Sequence, residues 1–398
     1  MSNTPTPHLR TLVVGQAGGP TPVINSSLAG VVAEARAAGY ARVVGLRYGV
    51  RGLLAGEWTD LTALTDDELD QLAATPSSAL GACRMKLDAE QVAEALAALR
   101  ALNAGAFVYI GGNDSADTAH RLAQAAAHAD DPLRVVAVPK TMDNDLPATD
   151  HCPGYGSVAR YVAVATLETT LDTRAMPETY PVKILEVSGR YAGWIAAAAA
   201  LARTADPTTP HLIYVPERPL YLDRFLADVQ GVVEREGHCV IVISENLNGP
   251  GDNRLHTGPA RFVDSFGHAY YPGPADMLCQ EVMQQTGIRA RFDKPGTLQR
   301  MSGALVSPVD REEAWRCGAA AVRATAASET DRMVSLVRLP GPVYRCETRL
   351  VPLSEIANTE RLLPDEFINP AGNNITDAFI EYALPLIGGP LPVYFRGG

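Results

Sequence analysis

Positive charge is scarce in this chain. It carries 34 Lys and Arg against 45 Asp and Glu, a formal net charge of −11. A general nucleic-acid binder gathers a basic excess, so no nucleic-acid partner is expected. Paired cysteines are also missing: Cys83, Cys152, Cys239, Cys279, Cys317 and Cys346 include no C-x-x-C and no zinc-ligand spacing. Several sit in apolar runs and read as small core residues. The longest apolar stretch, 194–202, is too short and too Ala-rich to span a bilayer, so no membrane partner is expected. The opening residues, MSNTPTPHLR, carry no apolar signal-peptide core, and the expected compartment is the cytoplasm. The sequence also lacks a P-loop lysine and any G-x-G-x-x-G after its first apolar run.

What is present is an ordinary globular balance. Hydrophobic residues make up 46% and charged residues 20% of 398 residues, which suits two or three domains. Short β-branched runs alternate with longer helical stretches. Residues 11–15, 107–110, 135–139, Val182–Val187, 212–215 and 240–244 read as buried strands. Helices are expected over Ile24–Ala38, from near Ser115, and over 194–203, Leu222–Glu236, Ala275–Thr286 and 311–327. Further β-rich pieces lie at 333–339 and 348–353. The fold class is α/β with mainly parallel sheets in two lobes. In such sheets ligands bind beyond the C-terminal ends of the strands, where the polar loops of this chain fall.

Six segments carry possible chemistry. The first loop runs from Gly15 through Gly18, Gly19 and Pro20 to Asn25; its glycines either cradle a phosphate at a helix start or simply make a tight turn. The second, Gly111-Gly112-Asn113-Asp114-Ser115, again joins strand to helix, with Ser115 as a possible cap. The third, Pro139-Lys140-Thr141-Met142-Asp143-Asn144-Asp145, sets two carboxylates beside a lysine, a pattern suited to a base and a metal or orienting group, or to a solvated turn. The fourth is Glu186 to Trp194 (EVSGRYAGW) and the fifth is Ser244-Glu245-Asn246. The sixth concentrates Arg289, Arg291, Lys294 and Arg300 in an otherwise acidic chain, as a basic surface run or as a phosphate site built from Arg forks.

Taken in order, these segments resemble the phosphofructokinase family over roughly residues 11–303. GGNDS resembles the family's GGDGS loop, PKTMDND its PKTIDND or GTIDND loop, EVSGRYAGW its EVMGRxAGx and LQRMSG its QRGG segment. The resemblance implies two Rossmann-like lobes with the active site in the cleft between them. Residues 1–153 with about 304–345 would form the donor lobe, and 154–303 with about 346–398 the sugar-phosphate lobe. It implies Mg²⁺ as cofactor, pyrophosphate and a sugar phosphate as partners, and a homodimer or homotetramer. ATP-using members carry Gly at the places of Asp114 and Lys140, leaving room for a nucleotide; members with Asp and Lys there use pyrophosphate. The implied reaction is reversible phosphoryl transfer from pyrophosphate to the 1-hydroxyl of fructose 6-phosphate.

Residue by residue, the resemblance makes Asp143 the general base, with Asp114, Lys140 and Arg190 in the catalytic set. Gly19, Arg84, Asp114 and Lys140 match donor positions. Asn113 and Asp145 match the metal side. Thr141, Asp143, Ser188, Gly189, Arg190, Glu245, Thr297 and Arg300 match the sugar-phosphate side, and Arg291 the arginine lent by a neighbouring subunit. Four places depart from the family pattern: Pro181 or its neighbours occupy the region where bacterial ATP-using members have a second arginine lent across subunits, Asn113 stands for a usual Asp, Ser188 for a Met and Thr297 for a His or Tyr. The last two leave open another acceptor, such as sedoheptulose 7-phosphate or another sugar or cyclitol. A non-catalytic phosphate-binding paralogue is a further reading, disfavoured by the presence of Asp143, Asp145 and Arg190. A nicotinamide-dependent oxidoreductase is disfavoured by the absent dinucleotide fingerprint.

Overall fold

The computed structural model describes residues 10–127, 133–255, 258–263 and 269–395, so most of the N-terminal segment read for a leader lies outside the described residues. The first half runs β1 (Thr11–Gln16), α1 (Ile24–Ala38), β2 (Arg42–Leu46), α2 (Gly49–Ala55), β3 (Trp58–Asp60), α3 (Asp66–Ala74) and α4 (Ala89–Ala101). Then come β4 (Ala104–Gly111), α5 (Asn113–Ala126), β5 (Arg134–Pro139) and α6 (Tyr155–Ala175). The second half runs β6 (Val182–Val187), α7 (Trp194–Ala197), β7 (Leu212–Tyr214), α8 (Leu222–Glu236), β8 (Cys239–Ser244), β9 (Phe262–Val263) and β10 (Ala269–Tyr270). It closes with α9 (Ala275–Thr286), β11 (Ala290–Asp293), α10 (Pro308–Ala326), β12 (Arg332–Arg338), β13 (Cys346–Pro352) and α11 (Asp377–Ala383).

Two sheets organise these elements. The larger has the order β13-β12-β5-β4-β1-β2-β3, and the smaller β11-β6-β8-β7. The smaller is parallel throughout. The larger is parallel from β12 to β2 and antiparallel at both edges. The pleat sorts side chains between two cores. Leu12, Val14, Val108 and Val136 face α1 and α10, while Val13, Phe107, Tyr109 and Val135 face the α4–α5 side. Both faces are covered, so the strands read as unbroken apolar runs. Helix α10 lies close on α1: a Cβ on Gly30 would come within 2.2 Å of the Trp315 carbonyl oxygen. Strand β13, placed with the second lobe by the sequence reading, pairs along its whole length with β12 on the larger sheet.

Two local readings are corrected, and the reading of the cysteines holds. The helix expected over 194–203 is α only to Ala197; Ala198–Thr204 tightens into a 3₁₀ segment. Ser115 does not cap α5: the cap position is Gly112, which has no side chain to offer, and Ser115 lies inside the first turn. The cysteines are all free, and all but Cys83 are buried. Among the described residues no helix is long and apolar enough to cross a membrane.

Candidate active site

The strand order reverses at β1, whose neighbours β2 and β4 follow it in opposite directions across the sheet. A crevice opens at such a switch point beyond the strand ends. A cavity of about 580 Å³ lies there, closed on its other side by the loops that follow β6 and β8. Its wall includes Gly19, Arg84, Asn113, Asp114, Lys140, Thr141, Asp143 and Asp145 from the larger sheet's side. Ser188, Arg190, Glu245, Thr297 and Arg300 complete it. Two residues named from sequence do not line it. Gly189 stands behind the wall and donates its N–H to Glu245 Oε1 at 3.2 Å. Arg291, on β11, forms an ion pair with Asp172 and lies over the Tyr180 ring.

The first loop is bolted down by a buried amide network. Gln16 Nε2 donates to Asn25 Oδ1 at 2.9 Å, Ser78 Oγ donates to Gln16 Oε1 at 2.6 Å, and the Ala79 N–H donates to Asn25 Oδ1 at 2.9 Å. This ties 16–25 to 78–84 and brings Arg84 to the cavity. Gly19 lets Arg300 come close: a Cβ would stand 2.8 Å from an Arg300 guanidinium nitrogen, which would have to move aside. At α5 the bare Gly112 cap leaves the first-turn N–H groups without a side-chain acceptor, an arrangement that suits an anion.

Lys140 is 4% exposed, and its Nζ donates to the Gly19 carbonyl at 2.8 Å. Burial lowers its pKa to about 8; Asp143 and Asp145 pull upward, while Arg190 and Arg84 push the same way as burial. Asp143 is 7% exposed. Burial raises its pKa to about 7, helped by Asp145 and Glu245 and opposed by Arg190 and Lys140. Arg190 Nε stands 3.8 Å from Asp143 Oδ2, and Asp143 Oδ1 is buried with no hydrogen-bond partner. Arg190 itself holds a left-handed backbone at φ 53°, fixed by its N–H donating to Glu245 Oε1 at 3.1 Å. A non-glycine residue kept there is stored strain of a kind that clusters at functional sites.

Sequence reading missed Lys86, whose Nζ sits 3.2 Å from Asp114 Oδ1. Asp114 is therefore compensated rather than an isolated negative charge. The signal was present in the run Arg84-Met-Lys86, one turn of extended chain past Arg84. Missed too was His151, at the far end of the Asp143 loop. Its ring bridges Asp150 Oδ2 at 2.8 Å and Glu313 Oε2 at 2.6 Å. Burial alone would lower its pKa, but those two partners lift it to about 9. His151, Glu313 and Cys346 lie close enough to share an ion, yet the ring already holds both carboxylates directly.

The Arg and Lys cluster of the sixth segment is divided by the fold. Arg300 reaches the cavity, Lys294 pairs with the buried Glu186 at 2.9 Å, and Arg291 turns away.

Known proteins similar to this chain agree with the geometry. The family model described as Phosphofructokinase matches residues 11–325. A pyrophosphate–fructose 6-phosphate 1-phosphotransferase of Rhodospirillum rubrum is 40% identical over 392 residues, 97% of this chain and 96% of that protein. A sulfofructose kinase of Alkalicoccus urumqiensis is 33% identical over 90% of this chain and 91% of its own. The crystal structure of a pyrophosphate-dependent phosphofructokinase from Nitrosospira multiformis has a TM-score of 0.87 at 36% identity, covering 97% of this chain and 94% of that one.

Proposed function

The chain belongs to the phosphofructokinase family, and on that premise we propose that it transfers a phosphoryl group from pyrophosphate to the 1-hydroxyl of fructose 6-phosphate. The observation that carries the reading is the pair Asp114 and Lys140 on the wall of the same cavity as Asp143. Asp114 fills space that a nucleotide would need. Lys140, a buried point charge, suits a compact diphosphate. The loops of the larger sheet, with Gly19 and Arg84, hold the donor. Those of the smaller sheet, with Ser188, Arg190 and Glu245 and with Gly189 supporting Glu245 from behind, and the segment bearing Thr297 and Arg300, hold the sugar phosphate.

In the forward step the acceptor oxygen attacks the nearer phosphorus of pyrophosphate. The bridging P–O bond breaks, inorganic phosphate leaves, and the acceptor's proton passes to Asp143. A carboxylate poised near pH 7 serves as base forward and, once protonated, as acid in reverse; the pyrophosphate bond resembles the product ester in energy, so the reaction is expected to run both ways. The remaining work is positioning and charge neutralisation. The residues present fit a hard divalent cation such as Mg²⁺. Their donors are oxygens, and Asn113 Nδ2 is engaged with the Thr359 carbonyl at 3.2 Å, which leaves Oδ1 as the atom to meet an ion. Asn113 and Asp145 would hold it, and it would neutralise pyrophosphate oxygens.

Initial rates with pyrophosphate and with ATP, at equal magnesium, test the donor. Higher kcat/KM with ATP would sink the proposal. The sulfofructose kinase among the relatives, together with Ser188 and Thr297, supports a second reading in which only the acceptor differs. Running the same assay on fructose 6-phosphate, sedoheptulose 7-phosphate and sulfofructose separates the two.

Arg291 is proposed to serve a neighbouring subunit, since in its own chain it pairs with the half-exposed Asp172 outside the cavity. Arg291→Ala should raise KM for the sugar phosphate well above tenfold, as expected for roughly 2 kcal/mol of a lost charged contact, with KM for pyrophosphate nearly unchanged. Mixing it with an Asp143 variant should restore activity in hybrid oligomers. A fully active monomer would exclude the shared site.

A further inference from the structure

The last stretch of the chain, past the end of the family match at residue 325, sends one strap across the back of the site. Arg361 is its centre. Its guanidinium donates to three carbonyls of the Asp143 loop: Nε and Nη2 to Asn144 O at 3.2 and 2.8 Å, and Nη1 to Thr149 O at 2.7 Å and Asp150 O at 2.8 Å. Its backbone N–H donates to Asp145 O at 2.7 Å. The guanidinium lies 4.6 Å from the Trp194 ring centroid, and Trp194 Nε1 returns a bond to Arg361 O at 3.1 Å.

The neighbouring residues extend the same strap. Thr359 O accepts from Asn113 Nδ2 at 3.2 Å. The Leu363 N–H donates to Glu217 Oε1 at 2.8 Å, the oxygen that also takes the Gly193 N–H at 2.8 Å ahead of α7. Tyr382, on α11, accepts from Asn144 Nδ2 at 3.0 Å and donates to Asp150 O at 2.8 Å. Asn144 sits between the two carboxylates of the loop with φ 56°, a left-handed backbone that a non-glycine residue keeps only when its surroundings fix it.

The geometry points to Arg361 as the positioning residue of the site: it holds Asn144 in that turn and so aims Asp143 and Asp145 into the cavity. The arrangement needs a planar fork. A lysine offers one charge centre and cannot reach three carbonyls spread over residues 144–150. Burial of Asp143 Oδ1 without a partner gives the loop no anchor of its own at that atom, so its aim rests on the backbone. Displacement of a reacting group by about 1 Å costs on the order of 10²-fold in rate.

This inference rests on the phosphotransferase reading for its kinetic arm only. Arg361→Lys and Arg361→Gln, compared with wild type, should lose roughly 10–100-fold in kcat while KM for both substrates stays nearly constant. Hydrogen–deuterium exchange read without substrate should quicken at the Thr141 and Cys152 amides, which bond to Pro153 O and Asn144 Oδ1. The control is Arg203→Ala, which cuts the same C-terminal stretch loose at Asn374 and Ile375 without touching the loop; it should lower the melting temperature and leave kcat alone. A folded Arg361→Lys with wild-type kcat, unchanged exchange at both amides, or an equal loss of kcat in Arg203→Ala would each overturn the assignment. Should wild type fail to use pyrophosphate, the functional proposal falls, while the exchange comparison still judges Arg361.

Discussion

Asp143→Asn is expected to lower kcat by on the order of 10²–10⁴-fold in both directions, with little change in either KM. The substitution keeps the side chain's shape and its place beside Arg190, whose Nε stands 3.8 Å from Oδ2. It removes the ability to take a proton. The wild-type enzyme should also show a pH signature set by this carboxyl. Burial, Asp145 and Glu245 lift its pKa to about 7, against the pull of Arg190 and Lys140. The forward reaction needs the ionised form, so with pyrophosphate saturating, kcat/KM for the sugar phosphate should rise with pH and level off above about 7. The reverse reaction needs the protonated form, so its rate should be highest below that value and fall as pH rises through it. Opposite limbs in the two directions are a demanding result, because instability at one pH extreme would depress both together. If Asp143→Asn keeps more than about a tenth of kcat, well short of the range for a general base, Asp143 is not the base and Asp145 is the next candidate.

Most of the strands buried on both faces were legible, while β2, β3 and β11 were not read. The apolar runs at Val182–Val187 and 240–244 match β6 and most of β8. Helix α6, the longest in the described structure, was not read at all. Its buried residues include Val158, Val162, Thr166, Thr170 and Thr173, and its sequence mixes them with Ala, so no clean polar face announces a helix. Helices α3 and α4 were missed for a different reason. Both open with a capping box, Thr65 with Glu68 and Asp88 with Gln91, a signal that spacing alone could have found.

The site divides in the same way. Loops at strand ends declared themselves, and all the candidate residues but Gly189 and Arg291 meet at one cavity. Contacts made across long stretches of chain did not. Lys86 reaches Asp114, and Arg361 reaches Asn144 from 217 positions away; the run Arg84-Met-Lys86 marks a cation, but no local spacing names the partner of either. The role of the final ~95 residues was unreadable for that reason: their chemistry is in what they touch.

The donor preference should reverse, in part, when Asp114 and Lys140 are both replaced by Gly. Lys140 is the larger loss. It is buried and hydrogen-bonded to Gly19 O at 2.8 Å, with Asp143 and Asp145 favouring its charged form and Arg190 and Arg84 opposing it. Removing a buried charge at the donor site costs about 2–5 kcal/mol, or roughly 30- to 5,000-fold in kcat/KM for pyrophosphate. The pKa of about 8 adds a check on the wild type: Lys140 is a cation below that pH, so KM for pyrophosphate should climb as pH rises past it. Asp114 acts differently. Its Oδ1 is 3.2 Å from Lys86 Nζ, so its charge is partly compensated, and its obstruction of a nucleotide is mainly steric. Asp114→Gly alone should therefore weaken pyrophosphate use less than Lys140→Gly does. It would also release Lys86, a cation then available to a longer polyphosphate. The double variant should show measurable ATP use where wild type shows little, because specificity here is built by excluding the larger donor as much as by binding the smaller. Unchanged pyrophosphate kinetics in the double variant would place both residues outside the donor site and remove the main support for pyrophosphate as donor.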